Sequence, residues 1–267
     1  MNLMPIGVFD SGIGGLTVLK ELFRVLPKEG TLYLGDTARV PYGIRSADTV
    51  TRYSFENTAF LVAKGIKLLV VACNTVSAVS LGAIKERLSI PVIGVIGPGA
   101  RAAAKATRNG KVGVIGTEAT INSGAYTRSI KAADNSIEVY GLPCPLFVPL
   151  VEEGLTDDEI TFMIAQRYLK DMKGRGIDTL VLGCTHYPLL KGIIGRVMGD
   201  STVLIDSAVE TVREVEEVLG RHDSRGDSET SSRAFYVTDG PEKFRRVGER
   251  FLGEKIGEIE KIDIGGS

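Results

Sequence analysis

The sequence predicts an α/β protein with two similar domains, each a mostly parallel sheet flanked by helices. Short apolar runs alternate with helical segments, the alternation restarts near residue 111, and a cysteine follows a matching apolar run in each half. A chain of 267 residues exceeds the usual size of one domain, and 43% hydrophobic residues suffice for a sizeable core.

The first half contains four apolar runs of a length and composition typical of buried parallel strands. They are "IGVF" (6–9), "TLYL" (31–34), "KLLVVA" (67–72) and "PVIGV" (91–95). Residues 16–26 predict a helix with leucines on one face, ended by Pro27. Residues 46–65 predict another, with Ser46 as its N-cap. The glycines and proline of "GVIGPGA" (94–100) predict a crossover between the halves.

The second half repeats this pattern with "KVGVIG" (111–116), "SIEVYG" (136–141), "DTLVLG" (178–183) and "TVLID" (202–206). Thr156 and Glu159 predict a capping box before the third of these runs. After residue 206 come an amphipathic helix, a polar loop at 221–233, the strand "AFYVTD" and a helix at Pro241–Leu252. We expect this tail to return to the first domain. The predicted domains are therefore residues 1–96 plus 207–267, and residues 97–206.

Composition narrows the classes of function. With 32 basic and 33 acidic residues, the chain lacks the overall basic charge of a nucleic-acid-binding protein. Its apolar runs are shorter than the roughly 18 residues of a membrane helix, and its N-terminal residues lack the pattern of a secretory signal. We therefore expect a soluble, cytoplasmic protein with no nucleic-acid or membrane partner. Its three cysteines are expected to be free thiols, and two histidines without a CxxC pair argue against a metal site.

Two of the cysteines follow matching stretches, "VVACNTVSA" (70–78) and "VLGCTHYPL" (181–189). In parallel sheets ligands bind at the carboxyl ends of the strands, where Cys73 and Cys184 are predicted to lie. The backbone N–H groups that follow are expected to favour the thiolate. Two thiols facing one carbon from opposite sides suit inversion of a stereocentre without a cofactor. Cys144, between two prolines, is better explained as a buried structural thiol.

The other predicted strand ends carry hydroxyls and short carboxylates, which suit a small polar substrate. "FDSGIGG" is not a dinucleotide motif, because Thr17 occupies its last glycine position. Asp10 is expected to face the pocket, and a carboxylate in this position can also cap the next helix. Two alternatives remain open: a cysteine hydrolase using Cys184 and His186, which leaves Cys73 unexplained, and a non-catalytic binding protein for acidic amino acids.

Five motifs in order, "FDSGIGGLTV", "GDTARVPYG", "ACNTVSA", "GTEAT" and "GCTHYPLL", resemble those of the glutamate racemases of bacterial cell-wall synthesis. The similarity covers nearly all of residues 5–210. Aspartate racemases are less similar, since they tend to carry an acid where this chain has His186. The resemblance implies interconversion of L- and D-glutamate without pyridoxal phosphate, which supplies D-glutamate for peptidoglycan and cell shape. Aspartate stays the alternative substrate.

The resemblance also implies an active site in the cleft between the two domains, and roles for individual residues. Cys73 and Cys184 would be the paired acid and base, assisted by Asp10 on the Cys73 side and by His186 with Glu152 on the Cys184 side. Substrate binding would fall to Asp10, Ser11, Tyr42, Gly43, Asn74, Thr75, Thr117, Thr120, Thr185 and His186. No cofactor or metal is implied. Members of the family often form homodimers, so a homodimer is a candidate assembly, and residues 221–233 carry no family motif.

Overall fold

The computed structural model describes residues 4–221 and 232–265. Within them lie two parallel sheets with helices on their faces. Most of the polar segment 221–233, predicted as a loop, falls outside the described residues. No helix in the described part of the chain is long and apolar enough to cross a membrane.

The strands divide between a six-stranded and a four-stranded sheet. In chain order they are β1 (Ile6–Asp10), β2 (Thr31–Gly35), β3 (Leu68–Val71), β4 (Val92–Gly94), β5 (Lys111–Gly116), β6 (Glu138–Pro143), β7 (Thr179–Gly183), β8 (Val203–Asp206), β9 (Arg233–Val237) and β10 (Ile259–Lys261). The first sheet has the order β10-β9-β2-β1-β3-β4 and the second β6-β5-β7-β8. All of their pairings are parallel.

The internal repeat is visible in the strand order. The run β2-β1-β3-β4 in the first sheet corresponds to β6-β5-β7-β8 in the second. Cys73 follows the end of β3, and Cys184 follows the end of the equivalent strand β7. The predicted fold class is therefore confirmed, and the two cysteines occupy equivalent positions in the repeat.

Helices connect the strands and cover both sheets. They are α1 (Leu16–Val25), α2 (Ala47–Ala63), α3 (Asn74–Val79), α4 (Leu81–Arg87), α5 (Ile96–Ala106), α6 (Glu118–Asn122), α7 (Ala125–Ala133), α8 (Phe147–Glu152), α9 (Glu159–Gly174), α10 (Lys191–Met198), α11 (Ser207–Arg221) and α12 (Pro241–Leu252). Short 3₁₀ helices at Tyr42–Ile44 and Tyr187–Leu190 border the cleft.

Three local predictions have different outcomes. Ser46 does cap α2, accepting a hydrogen bond from the Thr49 backbone N at 3.3 Å. The capping box at Thr156 is wrong, because Asp158 caps α9 by accepting from the Ile160 backbone N at 2.8 Å. The stretch 94–100 does connect the two sheets, and it does so as a helix: α5 begins at Ile96, and Pro98 lies in its first turn, where a missing N–H breaks no intrahelical bond.

The C-terminal segment extends the first sheet. β9 pairs with β2, β10 pairs with β9, and α12 packs against α1. One buried apolar cluster runs from α1 and α12 into the second sheet's domain, and it includes Leu16 and Phe251 together with Tyr187 and Leu190. This shared core fixes how the two halves of the cleft face each other.

Candidate active site

A cavity lies between the carboxyl ends of the two sheets. It is lined by residues of both domains, among them Ser11, Tyr42, Gly43, Cys73, Asn74, Thr75, Thr117, Glu152, Cys184, Thr185 and His186. Asp10 and Thr120 are buried just behind this lining. The cleft thus brings together the predicted site residues, with these two in a supporting layer.

Cys73 occupies an anionic environment. It is 5% exposed at the N-terminal end of α3, and its Sγ donates a hydrogen bond to the Ser11 Oγ at 3.4 Å. Burial, followed by the nearby Asp10 carboxylate, raises the pKa of Cys73 to about 12. At neutral pH this residue is therefore a neutral thiol. The backbone N–H of Val76 does lower this pKa, as expected for the residues after Cys73, but burial and Asp10 raise it by more.

Asp10 does not cap α1. Its Oδ2 accepts a hydrogen bond from the Gly12 backbone N at 2.9 Å, whereas the cap position of α1 is Gly15, without a side-chain bond. Burial raises the pKa of Asp10 by more than the hydrogen bond from the Gly12 amide and the charge of His186 lower it. A Cβ on Gly15 would come 2.5 Å from the Asp10 Cβ, so the glycine makes room for this carboxylate.

Cys184 has a cationic neighbour instead. Its Sγ lies 3.9 Å from His186 Nδ1, and His186 Nε2 lies 3.3 Å from Glu152 Oε1. Burial by itself lowers the pKa of His186. Its hydrogen bonds to Cys184 and Glu152 raise the pKa by more than that, to about 10. His186 is therefore an imidazolium at neutral pH. The ring of Phe251 packs edge-on against it, with centroids 5.2 Å apart.

Lys243 is a second cationic partner of Glu152. Its Nζ lies 3.3 Å from Glu152 Oε2, and the hydrogen bond from His186, ahead of the one from Lys243, lowers the pKa of Glu152. Lys243 was not predicted as a site residue. It lies on α12, whose amphipathic pattern gives no sign that this one lysine reaches the cleft.

Threonine hydroxyls meet across the cleft. Thr75 Oγ1 lies 3.0 Å from Thr117 Oγ1 and 3.4 Å from Thr120 Oγ1. Thr117 and Thr120 are 3.0 Å apart, and Thr117 also caps α6. Thr75 comes from the first sheet's domain and the other two from the second. Thr120 is 1% exposed and orients its neighbours from behind the cavity.

The Tyr42–Gly43 turn lines the cleft and is anchored by the Tyr42 side chain. The Tyr42 hydroxyl donates to the buried Asp36 carboxylate, which also accepts from Arg39 Nε at 2.7 Å and Thr238 Oγ1 at 2.9 Å. Burial and Asp36 raise the pKa of Tyr42, so its hydroxyl keeps its proton. A Cβ on Gly43 would lie 2.7 Å from the Thr117 Cβ, so only glycine permits this close approach.

Cys144 stands apart from these groups. It is fully buried, its Sγ lies 3.8 Å from the Leu142 carbonyl oxygen, and it does not line the cavity. Within residues 4–221 and 232–265, no three His, Cys, Asp or Glu side chains are placed to hold a metal ion.

Comparison with known proteins agrees with this arrangement. The model of the Asp/Glu/hydantoin racemase family matches residues 6–215. The chain belongs to this family. It is 56% identical to the glutamate racemase of Geobacter metallireducens, over 99% of this chain and 98% of that protein.

Solved structures show the same relationship. A glutamate racemase of Bacillus anthracis superposes with a TM-score of 0.95 at 42% identity, and that of Francisella tularensis in complex with D-glutamate with 0.93 at 39%. Each alignment covers 98% of both chains. The aspartate racemase of Picrophilus torridus reaches only 0.59 at 18% identity, over 81% of this chain and 94% of that one, a likeness of fold alone.

Proposed function

We propose that the protein interconverts L- and D-glutamate by moving the Cα proton between two cysteines, without a cofactor. The observation that carries this proposal is the placement of Cys73 and Cys184 in the lining of one cavity, at equivalent strand ends of the two sheets. Full-length similarity to proteins named glutamate racemase supports glutamate over aspartate as the substrate.

The reaction needs one cysteine as thiolate and the other as thiol. The thiolate removes the Cα proton from one face of the substrate, and the thiol delivers its own proton to the opposite face. The two sulfurs end with exchanged protonation states, and the net change is inversion of Cα. In this site the imidazolium of His186 lies 3.9 Å from the Cys184 sulfur, while Cys73 holds its proton. Turnover in the opposite direction starts from the exchanged state.

The proton on Cα is weakly acidic, so the site must stabilise the charge that develops on the substrate carboxylate. Preorganised hydrogen-bond donors in a water-poor site are the usual means. Here the donors are the hydroxyls of Thr75 and Thr117 and the Asn74 amide, all in the cavity lining. Asn74 Nδ2 is buried and has no hydrogen-bond partner among the described residues. A substrate carboxylate would supply that partner.

Asp10 acts from the layer behind Cys73 in this scheme. Its carboxylate opposes negative charge on the Cys73 sulfur, which keeps that thiol protonated until a substrate proton is to be removed there. Glu152 has the matching position behind His186, where it favours the imidazolium. Both residues thus act on a cysteine through charge.

The organisation of the chain completes the proposal. We assign residues 1–96 plus 207–267 to the first domain and 97–206 to the second, supported by the pairing of β9 and β10 with the first sheet. We further propose a cytoplasmic homodimer. The free state of all three cysteines is the state expected in a reducing compartment, and size-exclusion chromatography with light scattering tests the assembly.

The direct test is an assay of the purified protein with L-glutamate and no added cofactor, followed by circular dichroism. We expect the signal to decay to zero as the racemic mixture forms, with L-aspartate racemised far more slowly. Racemisation of aspartate in preference to glutamate would contradict the substrate assignment. An acyl-enzyme trapped at Cys184, with Cys73 dispensable, would instead establish the hydrolase alternative.

A further inference from the structure

The residue that follows each cysteine is held by a hydroxyl from the opposite domain. Asn74 follows Cys73, and the hydroxyl of Tyr126 on α7 donates to its Oδ1 at 2.7 Å. Thr185 follows Cys184, and its carbonyl oxygen accepts from Thr17 Oγ1 on α1 at 3.1 Å. Both bonds are buried and both cross the cleft. Neither hydroxyl belongs to the cavity lining.

Tyr126 determines which end of the Asn74 amide is available to a ligand. Burial raises the pKa of Tyr126 by more than a hydrogen bond from Ser207 lowers it, so the hydroxyl keeps its proton and donates. Its bond to Oδ1 leaves Nδ2, an obligate donor, as the unpartnered end. A buried donor without a partner is costly, and an acceptor on the substrate offsets that cost.

Thr17 performs the matching task for the Cys184 loop. It is 6% exposed, and its Oγ1 also lies 2.9 Å from the Gly14 carbonyl oxygen. Only glycine fits at the neighbouring position 14, because Thr185 and His186 occupy the space that a side chain would need. His186 Nδ1 lies 2.5 Å from where a Cβ of Gly14 would be. Gly14 and the first turn of α1 therefore pack against Thr185 and His186, and this packing holds the His186 ring beside Cys184.

We propose that Tyr126 and Thr17 are reciprocal positioning residues, each of which holds the residue after the other domain's cysteine in its working orientation. The inference rests on the proposed racemase function. It assigns a role to two residues that lie outside the cavity lining. Because both bonds cross the cleft, each cysteine is correctly surrounded only when the two domains are in contact.

The Tyr126 half is tested with Tyr126→Phe, which keeps the buried ring and removes only the hydroxyl. Tyr168→Phe is the control, since it removes a hydroxyl that contacts the Leu146 backbone N in the same domain. We expect Tyr126→Phe to lower kcat/KM about tenfold, the upper range for one hydrogen bond. In an Asn74→Ala background the same change should have less than about a twofold effect, because the two residues act as one unit.

Two results would overturn this half: a Tyr126→Phe enzyme within about twofold of wild type, or an equal loss in the Asn74→Ala background. Binding of D-glutamate is measured by calorimetry alongside, since it requires no turnover. A wild-type protein that binds glutamate without racemising it would refute the proposed function, while weaker binding by Tyr126→Phe would still support the positioning role.

The Thr17 half is tested by the labelling rate of each cysteine with iodoacetamide, read from peptide masses. Thr17→Val is compared with Thr58→Val, which removes another buried hydroxyl bonded to a backbone carbonyl in the same domain. We expect Thr17→Val to change the rate at Cys184 by about threefold or more and to leave Cys73 unchanged. No change at Cys184, or an equal change at both cysteines, would refute local positioning.

Discussion

The two sides of the cleft share a strand order and differ in the charges near their cysteines. Cys73 and Cys184 follow equivalent strands, β3 and β7, of two sheets with the same core order. Behind Cys73 lies the carboxylate of Asp10, and beside Cys184 lies the imidazolium of His186. The repeat therefore supplies two matching positions for a thiol, and the surrounding side chains place a carboxylate near one and a cation near the other.

This difference has a kinetic consequence. Enantiomers have equal free energies in water, so kcat/KM must be equal for L- and D-glutamate whatever the asymmetry of the site. Unequal surroundings can appear only in kcat and KM taken separately, or in isotope effects. Variants on either side of the cleft should therefore be assayed in both directions.

The largest expected effect comes from the cysteines. Cys73→Ser and Cys184→Ser should each reduce racemisation about 10²- to 10⁴-fold, because a hydroxyl is a far weaker acid than a thiol. Polarimetry in both directions measures the loss. The control is Cys144→Ala, which removes the thiol outside the cavity and should leave turnover near wild type. If either serine variant keeps wild-type turnover, racemisation does not require both cysteines and the two-cysteine proposal is wrong.

Gly14→Ala is expected to disable the Cys184 side alone. Its methyl group would meet Thr185 Oγ1 and His186 Nδ1, and displacement of catalytic groups by about 1 Å can cost about a hundredfold in rate. Gly82→Ala on α4 is the matched control, since nothing lies within 4 Å of that added Cβ. A crystal structure or the labelling rates of the cysteines would locate the damage. Unchanged kinetics would show that the close approach of Gly14 to His186 is dispensable.

Glu152→Gln tests the cationic state of His186. Removal of this carboxylate lowers the pKa of His186 from about 10, so the alkaline fall in kcat/KM should move to lower pH, by about one unit or more. Glu153→Gln, next in sequence and exposed, should leave the profile in place. A wild-type-like profile in Glu152→Gln would contradict the proposed coupling.

The same raised pKa predicts a dependence of stability on pH. His186 has a pKa of about 10 in the folded protein, against an ordinary value of 6.5. Its contribution is therefore complete below pH 6.5 and is lost as pH rises through about 10. In thermal melts, Glu152→Gln should lose this contribution at a lower pH than wild type. Equal pH dependence of Tm in both proteins would refute it.

Lys243→Met should have the smallest effect. The lysine is half-exposed and its pair with Glu152 is partly solvated, so its loss should change kcat/KM by about twofold. Lys261→Met, which breaks the surface pair with Asp239, is the control. A loss comparable with that of Glu152→Gln would mean that Lys243 contributes more to the Cys184 side than its exposure implies.

Much of this site follows from local sequence. The β-branched runs before Cys73 and Cys184 predict buried strands, and a parallel sheet places the residues after them at one edge. The strand predicted at 136–141 lies instead at Glu138–Pro143. This strand, β6, lies at the edge of its sheet, where a proline is tolerated and the side chains are only half-buried. The apolar pattern of the sequence therefore marks the ends of this strand less clearly than those of a buried strand.

The charge asymmetry could not be read from the sequence. It depends on the depth at which Asp10 is buried and on contacts such as that of Lys243 with Glu152, 91 residues apart in the chain. The cross-domain bonds of Thr17 and Tyr126 were missed for the same reason. Thr17 has no signature beyond its place in a helical first turn, and Tyr126 lies in an ordinary amphipathic helix.

The two-thiol account is tested most directly by the fate of the Cα proton. L-Glutamate is incubated with the enzyme in heavy water, the reaction is stopped at low conversion, and the enantiomers are separated for mass analysis. Two thiols on opposite faces predict D-glutamate that carries deuterium at Cα, beside residual L-glutamate that keeps its protium. Deuterium in the residual L-glutamate, or protium retained in the D-glutamate formed, would show that a single base serves both faces and would contradict the account.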